Sequence, residues 1–338
     1  MYRVINNINY NSLKFAALYV LFLMLSCSNK MSKEIEPIFI KTDGPIKNSD
    51  EEISGMDWYK DNLCLLPENL NGYVFFINKS EIDSRINQTN TTAITPKKVN
   101  FNTPDYKKII PGFDSFEAIA FRGHEVYLSI EIKFEDSMSC IFVRGHIDDK
   151  TLEITIPEQT FTTLDVPTYV DNLSYESLVI KNEKVYALFE ANGDSIISEP
   201  YAVSVTVPGN KINKHPITNI NYRITDVTKI DKNNRFWAIN YFFPRDKKFL
   251  KPSKDLLIEK YGQGPTHISS ERVERLVEYE IKNNRIVLTD NPHIEIALEG
   301  EKISRKWEAL ARFENKGFLI ATDKYPKPNT ILAYIPHD

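Results

Sequence analysis

Apolar residues in this chain fall in short alternating runs, and the runs come in sets. A small or acidic residue opens one apolar run, a polar turn follows, and a second apolar run begins nine or ten residues after the opening. The five copies are Ser54-Gly-Met-Asp-Trp-Tyr-Lys-Asp-Asn-Leu63, Glu117-Ala-Ile-Ala-Phe-Arg-Gly-His-Glu-Val126, Glu176-Ser-Leu-Val-Ile-Lys-Asn-Glu-Lys-Val185, Asp226-Val-Thr-Lys-Ile-Asp-Lys-Asn-Asn-Arg-Phe236 and Glu308-Ala-Leu-Ala-Arg-Phe-Glu-Asn-Lys-Gly-Phe318. Period-two runs of β-branched and aromatic residues between Gly, Asn, Asp and Lys turns read as strands. Each set goes on to a third and often a fourth run: 139–147 and 151–156 in the second set, 201–207 and 217–222 in the third. Four strands per repeat is the composition of a propeller blade.

The openings are 63, 59, 50 and 82 residues apart. The long interval contains a segment at 244–272, rich in Lys, Pro and Gly, whose removal restores a blade-like length. The last set ends near Pro336 with only three runs, and the apolar run at 35–41 supplies the fourth. Such closure removes two open sheet edges. The pattern therefore predicts an all-β β-propeller over residues 35–338 as a single domain. It has five four-stranded blades, or six if two weak sets have been merged, and is closed by an N-terminal strand. A two-domain β-sandwich would also give many short strands, but not an acidic opening in phase with blade length. Helix is expected only at 269–276, where Ser269-Ser-Glu-Arg-Val-Glu-Arg-Leu276 combines a cap with helical composition.

The first 26 residues stand outside this pattern. Arg3 and Lys14 precede an eleven-residue apolar run from Phe15 to Leu25 that stops at Ser26-Cys27, the layout of a secretory signal and too short for a spanning helix. A cysteine after a small residue at the end of such a run resembles the lipobox of bacterial lipoproteins, with Met24 where Leu is usual. That resemblance implies diacylation of Cys27, a polar tether over 27–34, and a protein anchored to the bacterial cell envelope through lipid alone.

Charge narrows the partners. The chain carries −4, and losing Arg3 and Lys14 with the signal lowers this by two. No basic stripe stands out to neutralise phosphates, so nucleic acid is not an expected partner. After Cys27 only Cys64 and Cys140 remain, both in apolar runs where free cysteine acts as a small core residue. An oxidising compartment permits a disulfide between them.

In a propeller the innermost strand of each blade lines the axial channel, so its opening residues form a ring at one end. Ser54, Glu117, Glu176, Asp226 and Glu308 are that ring. The next strand returns to the same rim and ends at Glu68, Glu131, Glu190, Asn240 and Asp323. So many carboxylates in one funnel are costly unless something cationic answers them. Calcium, which takes six to eight oxygen ligands, fits Glu117, Glu176, Asp226 and Glu308. Alternatively Arg223, Arg245, Arg305, Lys306 and Lys324 pair with the acids internally, or an organic ligand with cationic or hydroxyl groups sits there. Phe116, Tyr175 and Trp307 precede the openings, while Tyr241, Phe242 and Tyr325 follow the second strands, as stacking platforms or as wedges between blades. The six histidines (124, 146, 215, 267, 293 and 337) are scattered without His-x-x-x-His spacing, so zinc is not expected. No Gly-x-Ser-x-Gly elbow and no phosphate-cradling glycine loop occurs.

The openings Asp114-Ser-Phe-Glu-Ala-Ile-Ala120, Ser174-Tyr-Glu-Ser-Leu-Val179, Arg223-Ile-Thr-Asp-Val-Thr228 and Lys306-Trp-Glu-Ala-Leu-Ala311 resemble those of secreted bacterial propellers of the esterase-like phytase-domain family. More distantly they are similar to the calcium-dependent gluconolactonase and paraoxonase lactonases. The lactonases carry a calcium-binding Glu in a Glu-Gly-Pro-x-Trp phrase, whereas this chain reads Ser54-Gly-Met-Asp-Trp58, so that ligand is absent unless Asp57 substitutes. Two functions follow. One is a binding protein for a small molecule or an envelope protein, using the acidic pocket and the 244–272 segment. The other is a calcium-assisted hydrolase of phosphate or carboxylate esters.

Overall fold

The computed structural model describes residues 32–337, apart from 70, 159, 160, 301, 302 and 304. The signal and Cys27 lie outside the described residues. Among those described, no helix is long and apolar enough to cross a membrane.

The chain is all-β, as its alternation predicts. Strands β1 (Glu34–Ile35) and β2 (Ile38–Ile40) precede a first set of β3 (Ile53–Tyr59), β4 (Asn62–Pro67), β5 (Tyr73–Asn78) and β6 (Lys97–Asn102). The second set is β7 (Phe113–Arg122), β8 (Glu125–Phe134), β9 (Ser137–Ile147), β10 (Ile154–Thr155) and β11 (Phe161–Asp165). The third is β12 (Tyr175–Lys181), β13 (Lys184–Phe189), β14 (Tyr201–Thr206) and β15 (Lys211–Pro216). The fourth is β16 (Arg223–Val227), β17 (Arg235–Phe242), β18 (Val273–Lys282), β19 (Arg285–Leu288) and β20 (Ile294–Ile296). The fifth is β21 (Trp307–Phe313), β22 (Gly317–Thr322) and β23 (Leu332–Pro336).

Neighbouring strands within each set run antiparallel, and two-residue turns tighten three of the first hairpins: Tyr59 pairs Asn62, Arg122 pairs Glu125, and Lys181 pairs Lys184. Each of these turns needs a left-handed residue, which Gly123 (φ 56°) and Asn182 (φ 55°) supply more easily than Lys60 (φ 53°). The first strands pack side by side in the order β3, β7, β12, β16, β21 and back to β3. Side chains fill the gaps in the same order. One apolar cluster joins the first set to the second, others join second to third, third to fourth and fourth to fifth, and a fifth cluster joins the last set back to the first. Phe116, Tyr175 and Trp307 are fully buried in three of these clusters, so they act as wedges between sets. Each such side chain contributes on the order of 2–3 kcal/mol of burial. Cys64 and Cys140 are free thiols in two different clusters.

The N-terminal run closes the fifth set as expected: Ile38, Phe39 and Ile40 pair antiparallel with Tyr334, Ala333 and Leu332. Elsewhere the details differ. Residues 269–276 are a turn leading into β18, not a helix, because Val273, Glu274, Arg275 and Leu276 each pair in the ladder with β17. Pairing overrides local helical composition here. The fourth strand of the third set is Lys211–Pro216, with 217–222 outside it. In the second set β10 is only two residues long and bridges β6 to β9, and β11 is the longer partner of β9. The 244–272 segment holds the helical turns Pro244–Asp246, Lys247–Leu250, Leu256–Tyr261 and Pro265–Ile268.

Candidate functional site

Four of the first strands bulge where the repeated phrase opens. Register shifts fall between Ile53 and Gly55, Phe116 and Ala118, Tyr175 and Ser177, and Trp307 and Ala309, leaving Ser54, Glu117, Glu176 and Glu308 as the extra residues. A bulge releases its residue from the ladder and re-aims the side chain. In β16 the shift spans two residues, Thr225 and Asp226. Hydrogen bonds identify the equivalent one. Ser54 Oγ donates to the carbonyl of Phe116 at 2.7 Å, and Thr225 Oγ1 donates to that of Trp307 at 2.7 Å. Each hydroxyl thus bridges to the residue just before the next set's glutamate.

Asp226 is therefore one step out of the ring of openings. Its carboxylate accepts the amides of Leu310 at 2.6 Å and Val227 at 2.7 Å, with Met56 N at 3.5 Å. Asp57 does the same for the amides of Phe121 at 2.7 Å and Trp58 at 2.8 Å, with Lys229 3.3 Å away. Both acids satisfy amides on the inner strands, and burial pushes both above their usual range. Neither belongs to either rim cluster of three carboxylates, so the expected calcium set of Glu117, Glu176, Asp226 and Glu308 is not brought together.

The rim itself divides in two. On one side Glu117, Glu131 and Glu176 each offer an oxygen, all within 4.8 Å of one another, and all three are buried. Glu117 accepts a hydrogen bond from Ser115, while Glu131 Oε2 has no hydrogen-bond partner among the described residues. Burial first, and neighbouring carboxylates second, push Glu117 and Glu176 well above the ordinary glutamate range and Glu131 up to about 8.

On the other side the acids are answered by cations. Arg223 pairs with Glu190 and, at 3.0 Å, with Asp246. Lys306 lies 2.7 Å from Glu308 and 2.9 Å from Asp323. Lys324 pairs with Glu52, which joins Glu68 and Asp323 in another group of three carboxylates within 4.8 Å. Burial opposes charge on Lys306, yet Glu308 and Asp323 hold its ammonium well above the usual lysine range. Burial also carries Glu308 up to about 8 against the pull of Lys306. Burial raises Glu190 against the pull of Arg223.

Two expected rim residues turn elsewhere. Arg305 is buried, with Nη2 2.8 Å from Glu274 and 2.5 Å from the carbonyl of Ala297, and its guanidinium lies 5.2 Å from the Trp307 ring. Asn240 donates to the carbonyl of Asn221 at 2.9 Å and accepts from Arg275 at 2.8 Å. Arg275 in turn reaches Asp255 at 2.9 Å. These links fasten the 244–272 segment to the ring.

Above Lys306 and Arg223 opens a cleft of about 560 Å³. Tyr241, Phe243 and Tyr325 line it with Arg223, Arg245, Lys306 and Lys327, and among the described residues Asp246 is the one carboxylate of the lining. Arg245 is exposed and stands 5.7 Å from the Phe243 ring. The acids thus lie beneath the cleft and hold two cations that face it. Phe243 and Lys327 carried no signal in the sequence, and Asp246 only as part of the 244–272 segment. They come from the approach to that segment, the loop after β22 and the segment itself, outside the repeat.

No family model matches the chain, and no curated protein matches it. Among solved structures it is similar to a candidate glycoside hydrolase from Parabacteroides distasonis ATCC 8503, at TM-score 0.46 and 10% identity over 92% of this chain and 98% of that one. A bifunctional GH43-CE protein of Bacteroides eggerthii gives 0.44 and 8%, over 90% of this chain and 36% of that one. The catalytic domain of a Coprinopsis cinerea GH62 α-L-arabinofuranosidase gives 0.40 and 7%, over 91% and 98%. None of the three bears the description of an esterase-like phytase, and likeness at this level carries no functional argument.

Proposed function

We propose that the five strand sets are the blades of a closed propeller. Its axial end binds an anionic ligand with a flat or apolar body, and it is carried on the bacterial envelope by lipid at Cys27. The observation that carries this reading is the cleft. Among the described residues four cations and three aromatic rings line one opening, and two of the cations are fixed from below by buried acids. A cation held by two carboxylates is already ordered, so little side-chain entropy is lost when a ligand arrives. Arginine suits planar carboxylate or phosphate groups, and aromatic walls suit a ring.

A second reading has its own support. The three carboxylates of Glu117, Glu131 and Glu176 form a set of hard oxygen donors with one orphaned oxygen, which fits a calcium ion completed by water. Bound there, calcium would supply Lewis-acid chemistry for ester hydrolysis, while Arg223 and Lys306 would orient the anionic group.

Thermal melting with phenyl phosphate, benzoate, inorganic phosphate and the neutral phenyl glucoside tests the first reading. Phenyl phosphate should raise the melting temperature, inorganic phosphate less, and the neutral glucoside not at all. Equal shifts with the neutral and anionic probes, or none with any, would count against it. Release of p-nitrophenol from p-nitrophenyl phosphate, dependent on calcium and lost on chelation, would favour the hydrolase.

A further inference from the structure

A second group of metal-ligating side chains gathers where β1 meets β20. Parallel pairing sets Glu34 opposite Glu295, and the helical turn Pro265–Ile268 brings His267 to both. One ligand atom from each of these three lies within 4.8 Å of the others. His293 is the independent sign. Its side chain is wholly buried, its Nε2 has only the long 3.5 Å contact with Glu295 Oε1, and its Nδ1 has no hydrogen-bond partner among the described residues. A buried imidazole left in that state is costly, and a metal ion would take its lone pair.

We propose that Glu34, His267 and Glu295 bind one divalent transition-metal ion of the zinc class, with His293 turning in from its place beside Glu295 as the fourth ligand, and that the ion clamps the N-terminal strand to the 244–272 segment and β20. Two neutral imidazoles and two carboxylates match the nitrogen and oxygen ligands of such ions, and the carboxylates balance the charge. Supporting hydrogen bonds are in place. Thr266 donates to Glu34 through Oγ1 at 2.7 Å and through its amide at 3.2 Å. Ser32 Oγ and the Gly264 amide both donate to Glu295 Oε2, leaving Oε1 toward His293. A Cβ at Gly264 would lie 2.7 Å from Glu34, so glycine is what lets the carboxylate pass. His267 Nδ1 is 2.8 Å from Glu34 Oε1, and Nε2 is 3.4 Å from the Glu274 amide. Ligation through Nδ1 moves the ring proton to Nε2, so the long amide contact gives way and no net proton is released.

The test uses the purified full-length chain in detergent, stripped with chelator and titrated with Zn²⁺ and with Co²⁺. One ion per chain, tetrahedral Co²⁺ absorption bands and a higher melting temperature with Zn²⁺ are expected. His293→Asn and Glu295→Gln should each weaken binding by at least about tenfold, while Glu81→Gln, at an exposed acid in the helix Lys79–Ile86, leaves it unchanged. Circular dichroism checks that the variants fold, and the Co²⁺ spectrum of the unaltered chain needs no variant. Absence of a stoichiometric ion, an octahedral all-oxygen Co²⁺ spectrum, or full retention in His293→Asn would overturn the site.

Discussion

Replacing Glu131 by Gln should remove part of the protein's sensitivity to alkaline pH. The Glu131 carboxyl is 2% exposed, and burial followed by the charges of Glu190 and Asp114 raises it from 4.5 to about 8. Between those values the folded protein keeps a proton that the unfolded chain has released. Stability from this group is therefore full below the unfolded value and falls as pH rises toward the folded one. The slope is at most about 1.4 kcal/mol per pH unit for one group. From about pH 5 to about pH 8 this amounts to roughly 4 kcal/mol, which we halve to about 2 kcal/mol because interacting sites share the proton loss. Gln has nearly the shape of the protonated acid and no charge. Urea unfolding at four pH values across the window measures the effect, with unchanged m-values as the check on two-state behaviour. The variant should match the parent near pH 5 and exceed it by about 2 kcal/mol near pH 8. Parallel curves across the window would refute the raised carboxyl.

Three further outcomes follow. Arg305→Ala leaves Glu274 buried without its cation and should cost about 3–5 kcal/mol by urea unfolding; Arg305→Ala combined with Glu274→Gln should recover part of that. Asp226→Ala orphans the amides of Leu310 and Val227 and should cost about 2–4 kcal/mol, with Asp226→Asn milder because one acceptor oxygen remains. Removing residues up to 41 takes away β1 and β2 and bares the edge of β23, so light scattering should show concentration-dependent association that the intact chain lacks.

Much of this was legible because the repeat is a physical one. Alternation marked the strands, and the glutamates that open three phrases are the bulged residues at the rim. Legibility failed where one residue of register mattered. Asp226 is acidic and adjacent to Thr225, so its charge masked the hydroxyl that holds the equivalent place. It failed again where partners were assigned by sequence proximity. Arg305 neighbours Lys306, but alternation turns it to the opposite face, toward Glu274. The cleft walls at Phe243, Asp246 and Lys327 lie outside the phrases, and Glu34, His267, His293 and Glu295 meet only because a two-residue parallel pairing joins distant segments. Ligand spacing rules cannot register such a meeting.

Buried acids hold Lys306 and Arg223 at the cleft, where the proposed anion would meet them. Calorimetric titration of phenyl phosphate into the parent, Lys306→Arg and Lys306→Met measures that meeting most directly. Affinity should fall by about tenfold or more in Lys306→Met, the worth of one charge-assisted contact, and largely persist in Lys306→Arg. Equal affinity in all three proteins, with the fold intact by circular dichroism, would contradict the account.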